Sequence, residues 1–519
     1  MKRYLFILIA MFSCIGLWAQ GEIDALRLSE TDIQGTARGQ AMGGAFGALG
    51  GDVTSVGINP AGLGIYISSE VNVTANYSST PIETNWANNV LKHDNSKFNF
   101  ANASYIGYYP TGNENFSAIN FGFSYRRLKD FNRSYNAEGK GLNVSLSNYM
   151  AETTNNLNNY TGINAAEFDE PNNSDPYYRG NPWLSVLGWQ GALFNEAANS
   201  PNKYESVMQP NETVNSLLRV SERGSIETYD FSLGTNINDL LYIGVTFSLT
   251  DINYHIQSDY RENFSGGNDY FTLSNYQDTE GGGYQFKIGA ILRPADFLRL
   301  GIAYHSPTWY SLTDYYYGKA SNNYDADYPS ANTPEDHYPY RFRTPDSWIF
   351  SIAGIVEEKA AISVDYEFKN YSKMNIQDEN GIESGENNYI NEDFRLTTST
   401  LRAGLEYRFT PRFSGRLGYA WIQNPYEKKF YDGLKEVMIV GTIPHYIIEG
   451  DANYITAGLG YHFTRNFYMD VAFVYKNQKD RLYAYSPVWN EQGEISVNSQ
   501  PASFKNNAYR GLLTLGYRF

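Results

Sequence analysis

The chain has 519 residues, 16% of them aromatic, with a formal charge of −16 and a mean hydropathy of −0.47. That acidity argues against a nucleic-acid partner, whose phosphates would be repelled. Beyond the N-terminal segment no apolar run reaches the roughly 18 residues a spanning helix needs, which excludes a bundle of membrane helices.

Residues 1–19 read as a secretory leader. Lys2 and Arg3 precede an apolar run from Tyr4 to Trp18, and Ala19 is a small residue at the expected cleavage point. Removing the leader takes the formal charge to −18 and removes Cys14, the sole cysteine. The mature chain is therefore expected to hold no disulfide, thiolate metal site or cysteine nucleophile.

Residues 20–68 are predicted to form a plug, or hatch. Gly35 to Gly64 contains ten glycines in thirty residues and ends in Asn59-Pro60-Ala61-Gly62. Glycines permit tight turns and close backbone approach. A segment so poor in bulky side chains cannot build its own core, so a larger body must enclose it. Ala41, Met42, Ala45, Phe46 and Leu49 keep a helix-compatible spacing that a flexible linker does not require. The glycine spacings of phosphate-cradling loops are absent.

Residues 69–519 show two-residue alternation. Ile243, Val245, Phe247 and Leu249 form one apolar row; Ile362, Val364, Tyr366 and Phe368 form another, interleaved with Ser363, Asp365 and Glu367. Fourteen strands are predicted, near 70–77, 97–109, 116–127, 226–235, 241–256, 284–293, 298–305, 347–355, 360–368, 399–408, 413–421, 453–463, 467–475 and 508–519. A soluble sandwich alternates in the same way, so connection lengths decide. Short turns such as Thr111-Gly112-Asn113 and Thr464-Arg465-Asn466 alternate with long connections, as in a bacterial outer-membrane barrel. The expected fold is an all-β membrane protein, a 14-stranded antiparallel transmembrane β-barrel with the hatch in its lumen. Tyr509, Gly511, Leu513, Leu515, Tyr517 and Phe519 share one face of the last strand, which resembles the assembly signal of such barrels.

The longest connection, 132–224, contains a predicted short helix with Asn181 as cap and Pro182 in its first turn. Trp183, Val186, Leu187, Leu193 and Phe194 form either a candidate outer-loop hydrophobic capture patch or packing for the rim. The histidines lack metal-ligand spacing, and no nucleophile motif is present. Asp365, Glu367, Arg402, Glu406, Arg408 and Arg416 face inward by parity and read as a salt-bridged lumen wall rather than an acid–base pair. No enzyme activity, cofactor or metal is expected.

Met42-Gly43-Gly44-Ala45 and Asn59-Pro60-Ala61-Gly62-Leu63, with the strand count and the C-terminus, resemble FadL/TodX-type outer-membrane transporters of long-chain fatty acids and other hydrophobic compounds. The resemblance implies passive uptake of a hydrophobic small molecule, gated by hatch residues Gly43, Gly44, Asn59, Pro60, Ala61 and Gly62. It also implies sideways release into the bilayer at an early strand, for which Phe121, Gly122 and Phe123 are candidates. Outer-membrane lipid and lipopolysaccharide would surround the barrel. Segment 132–224 does not align with the family's capture helices. Two alternatives remain: a porin for polar solutes, and a protein-binding barrel partnered with a secretion system.

Overall fold

The computed structural model describes residues 21–113, 115–169, 174–198, 200–357, 359–437 and 441–519; the leader, with Cys14, lies outside them. Fourteen strands form the barrel: β1 (Glu70–Trp86), β2 (Asn89–Pro110), β3 (Phe116–Asp130), β4 (Val214–Ile237), β5 (Leu241–Phe264), β6 (Tyr270–Ala295) and β7 (Leu298–His305), then β8 (Ser347–Val356), β9 (Ala360–Lys369), β10 (Thr398–Thr410), β11 (Phe413–Ile422), β12 (Ala452–His462), β13 (Phe467–Tyr483) and β14 (Ala508–Arg518). Neighbours pair antiparallel, and β1 also pairs with β14, which closes the wall into a barrel.

Alternation follows from the two solvents on either side of the wall. Along β5, Ile243, Val245, Phe247 and Leu249 are exposed on the outer face, whereas Thr246, Ser248 and Thr250 are buried on the inner one. Phe297, Phe409, Phe463 and Phe519 mark one margin of the outer apolar band, and Tyr77, Tyr229, Tyr284 and Trp348 mark the other. Such rings suit the two membrane–water interfaces.

All fourteen predicted strands are present, but several are much longer than expected. β4, β5 and β6 run 24, 24 and 26 residues, although about 9–11 tilted residues cross the hydrocarbon layer. The first outer connection, predicted as a loop over 78–96, is instead a continued hairpin. It closes at Ala87-Asn88, where φ values of 48° and 64° give the two-residue turn that fits strand twist. Past the membrane the chemistry of the two faces exchanges. Ile252, Tyr254, Ile256 and Tyr260 keep the inward parity of Thr246 but are apolar, while Asp251, Asn253 and Asp259 look outward. Above the bilayer, water is outside and the core is inside.

The hatch begins with α1 (Glu22–Ser29), whose Ala25, Leu26 and Leu28 join that outer core, and below it fills the lumen with α2 (Ala37–Ala41), α3 (Val53–Ile58) and a 3₁₀ turn over Pro60–Ile65. The outer core itself belongs to a cap. Helices α4 (Leu146–Tyr160) and α5 (Trp183–Gln190) pack with the outer strand ends into a single large apolar cluster.

Candidate hatch gate and ligand pathway

Short polar side chains start α2, α3 and the 3₁₀ turn of the hatch. Thr36 accepts from the Gly39 amide, Asp52 from Thr54 and Asn59 from Ala61, with Pro60 in the first position of the 3₁₀ turn. Asn59 is buried and does more than cap. Its Nδ2 donates to the Gly47 carbonyl at 2.7 Å and to the Ala290 carbonyl of β6 at 3.2 Å, joining two hatch turns to the wall. Asn59→Ala removes both hydrogen bonds from a buried site, at about 1–3 kcal/mol. Hydrogen exchange at residues 47–62 should then accelerate by about tenfold to a hundredfold; unchanged protection would show that Asn59 does not hold the hatch.

The wall is shaped to receive the hatch. Gly234, Gly244 and Gly289 lie in one cross-strand row on β4, β5 and β6. A Cβ on Gly244 would strike the Pro60 carbonyl, and one on Gly289 would strike Asn59 Oδ1. Gly404 and Gly418, paired across β10 and β11, receive Met42 and Gly43 in the same way. Charges fasten the seat: Arg38 holds Glu406 bidentately at 2.8 and 2.9 Å, and Arg416 bridges Glu406 and Asp470 at 2.5 and 2.6 Å. The Gly47 amide donates to Asp365 at 2.9 Å, and Arg402 pairs with Glu367.

Between hatch and cap lies a cavity of about 210 Å³, bordered by α1, the 31–35 segment, the inner wall and the outer loops. Eight Lys or Arg side chains line it against five Asp or Glu, in a protein whose overall charge is −16. A second cavity of about 140 Å³ lies beside α3, and both share Asp32, Ile33, Gln34 and Arg402 as lining. Burial opposes ionisation of Asp32, but Arg510 and Lys476 outweigh it and hold its carboxyl well below the usual range. Burial, with Glu449 alongside, pushes Glu30 up to about 7.

The upper cavity reaches a discontinuity in the wall. The β2–β3 ladder stops at Asn102–Arg126. Beyond that pair, β3 bulges at Leu128 against β4, and on this side β2 reaches residues 130–134 through side chains, while it stays paired with β1. Asn99 Nδ2 donates to Asp130 at 2.7 Å, and Asn95 exchanges two hydrogen bonds with Ser134 at 2.8 and 2.9 Å. From inside, the hatch supplies what β2 does not: the Asp32 amide and the Gln34 side chain both donate to the Leu128 carbonyl. Lys129 reaches back to the Arg27 carbonyl at 3.1 Å. Phe98 and Phe100 still face outward at this level, so the break lies at the outer margin of the apolar band.

The anticipated site residues fall into distinct places. Gly43, Gly44, Asn59, Pro60, Ala61 and Gly62 are all buried in the lumen. Phe121, Gly122 and Phe123 lie where β3 is fully paired on both sides, so the backbone wall is closed there; Phe123 is exposed on the lipid side. Trp183, Val186, Leu187, Leu193 and Phe194 are buried and do not form an exposed patch, because the cap needs them as its own core. Trp183, for instance, packs edge-on against Tyr316. The α5 helix starts at Trp183, and Asn181 bonds the Glu167 carbonyl instead of capping it. Arg408 is exposed beside a periplasmic turn, outside the lumen network. His305 bonds the Ile58 carbonyl of the hatch at 2.8 Å. The glycine row, Leu128 and the asparagines of β2 were not anticipated; inward-facing glycines on neighbouring strands were the available signal.

A closed fourteen-stranded barrel with long outer extensions and an N-terminal segment seated in its lumen defines a plugged outer-membrane β-barrel. The profile of the outer membrane protein transport protein family (OMPP1/FadL/TodX) matches residues 224–519. The chain belongs to this family of outer-membrane transport proteins of Gram-negative bacteria. Two solved structures are similar in fold. A Pseudomonas aeruginosa FadL homologue is 12% identical, with TM-score 0.53, covering 95% of this chain and 100% of its own. The P. putida toluene transporter TodX is 12% identical, with TM-score 0.53, covering 94% and 99%. No curated protein matches the sequence.

Proposed function

We propose that the protein passively admits hydrophobic small molecules with an anionic end, such as long-chain fatty acids, under control of the hatch. Ligand enters beneath the cap, rests in the upper cavity and leaves sideways between β2 and β3 when residues 31–34 withdraw from Leu128. The observation that carries this reading is the unpaired stretch of wall beside the cavity, closed from inside by hatch atoms. An unpaired edge at membrane depth is costly, and in this wall a movable segment covers it. Sideways release also spares an apolar chain from crossing water. Phe121 and Phe123, just below the break, offer the first apolar surface outside, and opening of the cap would present Trp183, Val186, Leu187, Leu193 and Phe194 to incoming ligand. Export with cleavage near Ala19 belongs to the same reading.

The excess of basic lining favours an anionic end over an uncharged hydrocarbon such as the toluene named for TodX, which gains nothing from those charges. Liposomes containing the protein should take up labelled oleate well above the protein-free rate and toluene no faster than it. Mass spectrometry of the purified protein should return anionic amphiphiles. Preference for toluene would overturn the anionic end. Passage of sugars with no bound amphiphile would overturn the class of ligand.

A further inference from the structure

A second apolar feature lies on the opposite face of the wall from the hatch. On the lipid side of β10–β13 runs a groove of about 590 Å³, bordered by Leu405, Tyr407, Leu417, Leu459, Val471 and Phe473. Small residues create its depth. Gly415 sits in register between Tyr407 and Leu459, and Ala457 between Leu417 and Phe473. The wall is one backbone thick at this panel: Arg416, whose guanidinium holds Glu406 and Asp470 inside, also borders the groove. On the inner side of the same panel, Ala41, Met42 and Gly43 press against Gly458, Gly404 and Gly418.

The groove is close to the periplasmic turns that join β10 to β11 and β12 to β13. Around those turns three basic side chains, Arg408, Arg412 and Arg465, are exposed. We infer that the groove binds one acyl chain of a phospholipid from the periplasmic leaflet, with its phosphate at these arginines. The hydrocarbon around the apolar band supplies flexible chains of the right chemistry, and a groove left empty would forfeit dispersion contacts along its whole lining. Guanidinium groups at the membrane margin match a phosphate in charge and geometry. Lipopolysaccharide lies in the other leaflet, and a protein partner would need an apolar ridge flanked by acid at one fixed depth. The inference concerns a resident lipid and stands apart from the transport pathway.

The test counts phospholipid retained per barrel, by lipid mass spectrometry after extensive detergent exchange. Wild type should retain about one molecule. Ala457→Phe, which fills the groove, should lower retention several-fold. The double variant Arg412→Glu with Arg465→Glu should do the same while leaving the groove intact, and because it changes only exposed turns it carries the test if Ala457→Phe fails to insert. Equal retention in wild type and variants would overturn the inference. So would retention of free fatty acid alone, or a second copy of the chain bound through this face.

Discussion

A barrel lacking residues 35–64 is expected to insert and to pass small polar solutes, raising conductance in planar bilayers by at least an order of magnitude. The wall does not depend on this segment for its ladder, since β1 closes on β14 through ten consecutive register pairs. What the segment occupies is a polar lumen. Behind it lie Glu406, Arg416 and Asp470 on one side and Arg126 with Asp230 on another. Without the hatch those groups face a water-filled channel, as in open porins. Some loss of stability is expected because Glu406 forfeits its bidentate Arg38 partner, although Arg416 still compensates it. Conductance equal to wild type in correctly inserted barrels would count strongly against a lumen sealed by the hatch.

The second large effect concerns the break between β2 and β3. Asn99→Cys combined with Asp130→Cys places two thiols where a 2.7 Å hydrogen bond now spans the wall. Cys14 is the sole native cysteine and lies outside the described residues, so a short bifunctional thiol reagent should bridge only this pair within the barrel wall. Bridging should reduce ligand uptake to the protein-free rate while leaving ligand binding in the cavity intact, because it blocks exit and not entry. Cleaving the bridge should restore uptake. A bridged protein that still transports at the wild-type rate would remove this opening from the pathway. The same pair, left unbridged, reports whether loss of the Asn99–Asp130 contact alone widens the break.

Much of the architecture was readable from alternation, because a lipid-facing row of Ile243, Val245, Phe247 and Leu249 leaves a plain two-residue signature. The outer strand halves were not. Above Thr250 the same parity that had been polar becomes apolar, so a reading that follows one greasy face loses the strand where the solvent changes sides. The α5 stripe stayed open between two readings for a related reason. An apolar helix face in a long loop looks the same whether it meets ligand or other loops, and in this cap Tyr316, Phe168 and Met150 take it.

Local chemistry along the chain thus specified a strand count, a membrane-facing row on each strand and a segment too small to stand alone. These are properties of neighbouring residues, written at a period of two or in glycine content. The seat of the hatch, the basic cavity and the unpaired stretch beside Leu128 came only with the closed barrel. Each joins residues far apart in sequence, as Arg38 joins Glu406 and Asp32 joins Leu128, and no local pattern encodes which distant wall position a glycine turn will touch.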